Sequence, residues 1–292
     1  MKNNIYSLKQ RLFRSSGWSI SGSLIEQIIR FGGNLLLTRL LIPEMFAVAA
    51  IVNILLFGLQ MFSDIGLRPI IIRSPRASDP NFLNTAWSIQ VVRGFIISIV
   101  ACIVSFLLYG MGLWTDFLGD TVYNDEQLPF LLAFGSLVAV IDGFASIQLH
   151  ILNRNLQLKK LVIIKVSGQV FGMASMIFVA LLTNSVWSLI VGSLTASFVR
   201  TLLSYKWLEG GRSSFQFDSA SLKEIVGFGK WVFGSSIITF IVVQGDRLLL
   251  GGMITPRDLG VYTIAFVIAS TIRRLASDVM SSLLFPAISE VV

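Results

Sequence analysis

The sequence predicts an all-α polytopic membrane protein of eight transmembrane helices, one six-helix lobe followed by the first two helices of a pseudo-twofold second lobe. Three observations carry that expectation. Of 292 residues, 54% are apolar and only 13% charged, about half the roughly one-quarter share of an ordinary globular chain. Mean hydropathy is +0.77, so the main solvent is lipid, which excludes a disordered chain, a disulfide scaffold and a soluble enzyme together. A similarity between the start of the chain and its last quarter, at a fixed offset of 213 residues, supplies the two lobes.

Crossing a hydrocarbon core of about 30 Å takes roughly 20 mainly apolar residues in a helix, because an unpaired backbone group there costs several kcal/mol. The segments that meet this length are expected near 15–41, 46–72, 85–109, 128–152, 161–182, 186–205, 228–254 and 259–285. The first follows a basic stretch but is too long for a signal-peptide core and lacks a small-residue cleavage site, so it is read as retained. Hairpin breaks are expected at Ile42-Pro43-Glu44, Thr183-Asn184-Ser185 and Thr255-Pro256-Arg257, where proline or a small polar cluster ends the helix.

The net charge of +7 follows topology rather than a nucleic-acid surface. One set of connections carries Lys2, Lys9, Arg11, Arg14, Arg73, Arg76, Arg154, Lys159, Lys160, Lys206, Arg212, Lys223 and Lys230, while the other carries Arg257 alone. That asymmetry predicts both termini in the cytoplasm and the acidic 110–127 loop, with Asp116, Asp120, Asp125 and Glu126, outside. The lone Cys102 and lone His150 leave no cysteine-histidine metal site and no internal disulfide.

The 213-residue shift lays Trp18 on Trp231, Gly32 on Gly245, Leu35-Leu36-Leu37 on Leu248-Leu249-Leu250 and Pro43 on Pro256 without a gap. Six spans separate the copies, so they run parallel about an axis along the membrane normal. The resulting division is a transmembrane lobe over 1–208, a cytoplasmic linker over 209–224, and the first two helices of an incomplete second lobe over 225–292.

Ionisable residues within spans are costly and normally face a cavity or a partner. In the first span Ser19, Ser23, Glu26, Arg30 and Gly33 form one stripe, with Glu26 and Arg30 one turn apart and able to pair. Comparable stripes are Asn53, Gln60, Asp64 and Arg68; Asp142, Ser146 and His150; and Ser270, Arg274, Ser277 and Ser281, with Asp278 beside them. Arg93, Lys165, Arg200 and Arg247 add single bases, the last beside Asp246, and the interior is mildly basic. Arg68, Arg200 and His150 are within reach of the interface and are read as snorkelling there. Gly168 and Gly172 make a GxxxG packing face that also carries Lys165, for which Asp142 is a candidate partner.

Several motifs narrow the reading further. Leu37-Thr38-Arg39-Leu40-Leu41-Ile42-Pro43-Glu44, then Phe62-Ser63-Asp64-Ile65-Gly66-Leu67 and Asn84-Thr85-Ala86-Trp87, closely resemble the start of the polysaccharide-export flippases of the MOP exporter superfamily. Gly245-Asp246-Arg247-Leu248 and Leu284-Phe285-Pro286-Ala287-Ile288-Ser289 are similar to that family's seventh and eighth helices. The resemblance implies two lobes around a central cavity, with this chain ending early in the second.

It also implies a secondary transporter of the bacterial inner membrane that flips a lipid-linked oligosaccharide or polysaccharide intermediate, with no catalysis and no cofactor. Implied partners are the bilayer, a lipid-diphosphate oligosaccharide and polysaccharide-assembly proteins, and nucleic acid is not among them. A basic cavity suits a diphosphate, because guanidinium groups bind phosphate bidentately. The residues expected to bind it are Arg30, Arg93, Arg247 and Lys165, with Glu26 and Asp246 as resting counter-charges. The alternatives are a cation-coupled exporter of drugs or organic cations, which would favour an acidic cavity, and a non-transporting subunit of a polysaccharide-synthesis complex. Gly227-Phe228-Gly229-Lys230-Trp231 lacks the spacing and hydroxyl of a phosphate-binding loop, so no ATPase is expected.

Overall fold

The computed structural model describes residues 2–64, 66–114, 120–155, 157–208 and 213–270. Among these the regular structure is entirely helical: α1 (Lys2–Leu40), α2 (Pro43–Phe62), α3 (Leu67–Arg73), α4 (Pro80–Trp114), α5 (Leu128–Gly143), α6 (Gln148–Arg154), α7 (Leu158–Thr183), α8 (Trp187–Lys206), α9 (Ser219–Gly251) and α10 (256–270), with short 3-10 turns at Pro75–Ser78 and Val122–Asn124. Arg274, Ser277, Asp278, Ser281 and the Leu284–Ser289 motif lie outside the described residues.

Among the described residues α2, α4, α7, α8 and α9 are each long and apolar enough to cross a membrane, and α5 with α6 meets the same test only as a pair, bent by 63° at the break between them. The protein is therefore a multi-pass membrane protein. Its surface agrees: Phe106 is 75% exposed and Val242 77%, as side chains facing hydrocarbon should be. At 1.5 Å per residue the 39-residue α1 is about 58 Å long, well beyond the hydrocarbon thickness. Its hydropathy is diluted by the Ser, Gly, Glu26 and Arg30 of its polar stripe.

Proline and left-handed residues set the hairpins. Pro43 stands at the first position of α2, where its missing N–H costs nothing, and α10 starts likewise at Pro256. Asn184 ends α7 with φ 45°, a conformation asparagine tolerates. α1 leans on α7, α7 on α8, α8 on α5, and α5 on both α4 and α2; α9 lies along α2 and α4. The α7–α8 contact is glycine-tight: a Cβ on Gly168 would come within 2.9 Å of the Ala196 carbonyl oxygen, and one on Gly172 within 2.8 Å of that of Gly192. The GxxxG face thus has the packing role expected of it.

Two expected spans are not continuous helices. The 46–72 span ends at Phe62 and turns through Gly66, whose φ of 65° only glycine adopts freely, before resuming as α3. The 128–152 span breaks between Gly143 and Gln148. In both places small and polar residues interrupt the apolar run, Ser63-Asp64 in one and Gly143 with Ala145-Ser146 in the other. Asp218 caps α9, which starts at Ser219, inside the 209–224 segment. Short helices α3 and α6 pack on each other at the end where the basic loops gather, called the basic end below.

Candidate functional site: a polar cavity between two broken helices

Breaking a helix inside a membrane frees carbonyl groups that must find donors, and here α4 supplies them. Gln90 Nε2 donates to the carbonyl oxygens of Asp142, Gly143 and Ala145 at 3.2, 3.0 and 3.0 Å, the acceptors exposed by the α5–α6 break. Less than one turn further on, Arg93 donates through NH2 to the Gln60 carbonyl at 2.7 Å and through Nε to Ser63 Oγ at 3.0 Å, closing the end of α2. Its NH1 lies 3.7 Å from Asp64 Oδ1. Asp64 in turn accepts from the Gly66 N–H at 2.9 Å and so fixes the turn. At the basic end Arg154 NH1 reaches the Ile71 carbonyl at 3.1 Å and that of Ser74, ending α3.

Between the breaks lies a cavity of about 570 Å³ whose ionisable lining is Asp64, Arg68, Arg93, Asp142, His150 and Arg200. Asp142 is ion-paired with Arg200 and accepts from the Ser197 hydroxyl, both on α8. Arg68 reaches the Asn153 side-chain oxygen at 2.7 and 3.0 Å with the amide in its hydrogen-bonding orientation. A second, polar pocket of about 220 Å³ lies between α1, α7 and α8, lined by Glu26, Arg30, Lys165, Gln169 and Arg200. Arg200 lines both, so the two spaces meet at one guanidinium.

The six residues expected to form one site fall in three places. Glu26, Arg30 and Lys165 share the smaller pocket. Arg93 lines the larger one, and two of its donors, on Nε and NH2, end α2. Asp246 and Arg247 line neither: Asp246 Oδ2 accepts from the Tyr262 hydroxyl at 2.9 Å, and the Arg247 guanidinium carbon lies 4.1 Å from the Phe266 ring centre, both contacts to α10. Two further readings change. Lys165 is not the partner of Asp142, which takes Arg200 instead because α8 stands between α5 and α7. Arg68, Arg200 and His150, read from the sequence as snorkelling, line the cavity. Their signal was present in the small-polar interruptions of two apolar runs, which mark broken helices and hence irregular backbone that must border a cavity.

Residues 36–292 match the sequence profile of the family described as Polysaccharide biosynthesis protein. The chain is 23% identical over 98% of its length to the lipopolysaccharide biosynthesis protein WzxC of Escherichia coli K12, covering 56% of that protein. It is 20% identical over 95% of its length to the succinoglycan biosynthesis transport protein ExoT of Rhizobium meliloti strain 1021, covering 53% of it. Against the teichuronic acid biosynthesis protein TuaB of Bacillus subtilis strain 168 the figures are 18% identity, 78% of this chain and 45% of that one. The chain thus spans about half the length of the curated relatives it matches. A solved inward-facing multidrug resistance MATE family transporter of the MOP superfamily aligns with 90% of this chain and 61% of that one at TM-score 0.48 and 17% identity, a likeness too faint to carry an argument. With a profile match across all but the first 35 residues, the chain belongs to the polysaccharide biosynthesis protein family.

Proposed function

We propose that the protein is a secondary transporter, not an enzyme, that moves a lipid-linked oligosaccharide or polysaccharide intermediate across a bacterial inner membrane. The observation that carries this reading is the pair of polar cavities meeting at Arg200, in which five bases, Arg30, Arg68, Arg93, Lys165 and Arg200, face three acids, Glu26, Asp64 and Asp142. Asp64 and Asp142 are already taken by Arg93 and Arg200. The surplus of cationic donors is then Arg68 in the larger cavity, bonded to the Asn153 amide, and one further base in the smaller pocket, where Arg30 and Lys165 stand against Glu26. A diphosphate entering there is bound by guanidinium and ammonium groups in a desolvated site, while the saccharide occupies the larger cavity and the lipid tail stays in the bilayer. Exchanging a carboxylate partner for a phosphate keeps each buried charge compensated, which avoids the cost of an unpaired ion in lipid. The acid-poor lining disfavours the rival role of an exporter of organic cations. The family and the named relatives, which concern polysaccharide, lipopolysaccharide and succinoglycan production, support the substrate class, and polysaccharide-assembly proteins are the partners this reading adds.

The same reading includes eight crossings, a lobe over 1–208, the 209–224 linker and the start of a second lobe over 225–292, with both termini cytoplasmic. The start of α2 at Pro43 and of α10 at Pro256, separated by the 213-residue repeat offset, supports the lobe division. Alternating access then follows from rocking of one lobe against the other.

The test is translocation of a fluorescent lipid-diphosphate oligosaccharide in vesicles carrying the protein. Arg30→Lys keeps the charge but not the planar fork, so it is expected to slow translocation at least about tenfold, equivalent to losing about 1.4 kcal/mol of charge-assisted bonding. Full-rate translocation by this variant at normal expression excludes phosphate capture by Arg30 and leaves it a static brace on Glu26.

A further inference from the structure

The motif Asn84-Thr85-Ala86-Trp87 has no part in either cavity, yet it has a partner. Residues 213–218, without helix ahead of α9, lie along the first turns of α4 and are held there at alternate backbone N–H groups. Asn84 Oδ1 accepts from the Ser214 N–H at 3.2 Å, Ser88 Oγ from the Gln216 N–H at 2.9 Å, and Thr85 Oγ1 from the Asp218 N–H at 3.0 Å. Phe215 meets the Trp87 ring edge-on at 4.9 Å between centres. Beside this strap, Arg76 in the turn after α3 spans the gap to α9: it lies 2.9 Å from Asp79 on its own turn, and 3.3 and 3.7 Å from Asp218 and Glu224 on the other side. Ser74 Oγ adds a bond of 2.8 Å to Glu224.

We propose that the Arg76 turn and the 213–224 segment form a latch at the basic end of the molecule, closed as seen here and opened when α9 swings away from α3 and α4. This rests on the alternating-access reading of the protein. Three features make the contact a switch rather than a brace. Each half keeps a local partner when the two separate: Arg76 retains Asp79, and Asp218 retains the Ser221 N–H and hydroxyl that it caps at 2.9 and 2.6 Å. The groups are about one-third exposed, so water replaces the lost contacts as the halves part. One cation faces three carboxylates, so repulsion of Asp218 and Glu224 by Asp79 offsets part of the Arg76 attraction and eases the parting of the halves. The far end of α9 differs. There Gly251 packs against Ile51, and the Tyr123 hydroxyl donates to the Leu248 carbonyl at 2.8 Å, a contact suited to act as the pivot.

The experiment places spin labels at the exposed Ser78 and Lys223, in a Cys102→Ala background, and measures their separation by pulsed EPR in lipid vesicles. The expected result is a short and a long population, with the long share raised roughly threefold by Arg76→Gln, the scale of losing one or two exposed ion pairs, and largely restored to its original value in Arg76→Lys. One short, unchanged distance in both the parent and Arg76→Gln overturns the latch and makes the cluster a static brace. A second arm joins Asn84→Cys to Ser214→Cys by a disulfide. Translocation that stops on oxidation and returns on reduction supports the latch, whereas full-rate translocation by the oxidised protein overturns it. The distance measurement needs no substrate: two populations in a protein that moves no lipid-linked saccharide retain the latch and remove the transport reading.

Discussion

Gln90 and Arg93 stand three residues apart on α4, and each terminates a different helix. A Gln90→Leu substitution keeps the side-chain volume but leaves the carbonyls of Asp142, Gly143 and Ala145 without that donor. Loss of such bonds in a partly buried site is expected to cost about 2–4 kcal/mol, read as a lower thermal midpoint in detergent. At Gly66 the strain is local: with φ at 65°, Gly66→Ala is expected to destabilise by about 1–2 kcal/mol, whereas Gly32→Ala on α1, with open space at its Cβ, is expected to be neutral or slightly stabilising. Equal effects at the two glycines remove the argument that the α2–α3 turn requires a left-handed residue. These roles were only partly legible in the sequence. Arg93 was visible as a single base within an apolar span, but its bond to the Gln60 carbonyl exists only because α2 stops, and Gln90 gave no signal at all, since an uncharged amide among apolar residues matches ordinary packing.

Among elements, the strap and its cap respond to acid in a defined window. Hydrogen bonds from the Ser221 side chain and N–H, helped by Arg76, lower the Asp218 carboxyl from 3.8 to about 2, and its bond with Arg76 lowers that of Asp79. A carboxylate with a depressed value contributes stability that is complete above its unfolded value and lost as pH falls through the folded one. The Ser221 and Asp218 amides are therefore expected to stay protected from hydrogen exchange from neutrality to about pH 4, and to lose protection between about pH 4 and pH 2. Loss of protection nearer pH 6 would show that another group holds the strap. The α7–α8 contact tests packing instead: Gly172→Val puts a branched side chain where even a Cβ lies 2.8 Å from a backbone oxygen, and the overpacking is expected to cost about 1–3 kcal/mol or to part the helices. The GxxxG spacing announced this contact, but its partners Ala196 and Gly192 are ordinary small residues that only the fold identifies.

For the whole molecule, the basic asymmetry of the loops makes a topological prediction. A cysteine at Thr121 is expected to react with an impermeant thiol reagent added outside intact cells, and one at Ser213 only after the membrane is opened. The reverse pattern would turn the molecule over and place the latch on the outer face. Composition, apolar run length and loop charge determined by themselves that this is a multi-pass helical membrane protein with hairpins at Pro43, Asn184 and Pro256, because those properties are local and the bilayer imposes a single length on every crossing. The ordered motifs pointed to the family that the profile match then established. Tertiary structure alone decided the two broken helices, the cavity between them, the pairing of Asp142 with Arg200, the placement of Arg247 against α10 and the seating of 213–218 on α4. A stripe at helical spacing shows which residues share a face only while the helix is continuous, and which helix that face meets depends on contacts far apart in the chain. From the sequence Asp142 was a candidate partner for Lys165 and Arg200 was read as snorkelling; the position of α8 against α5 is what gave Asp142 to Arg200.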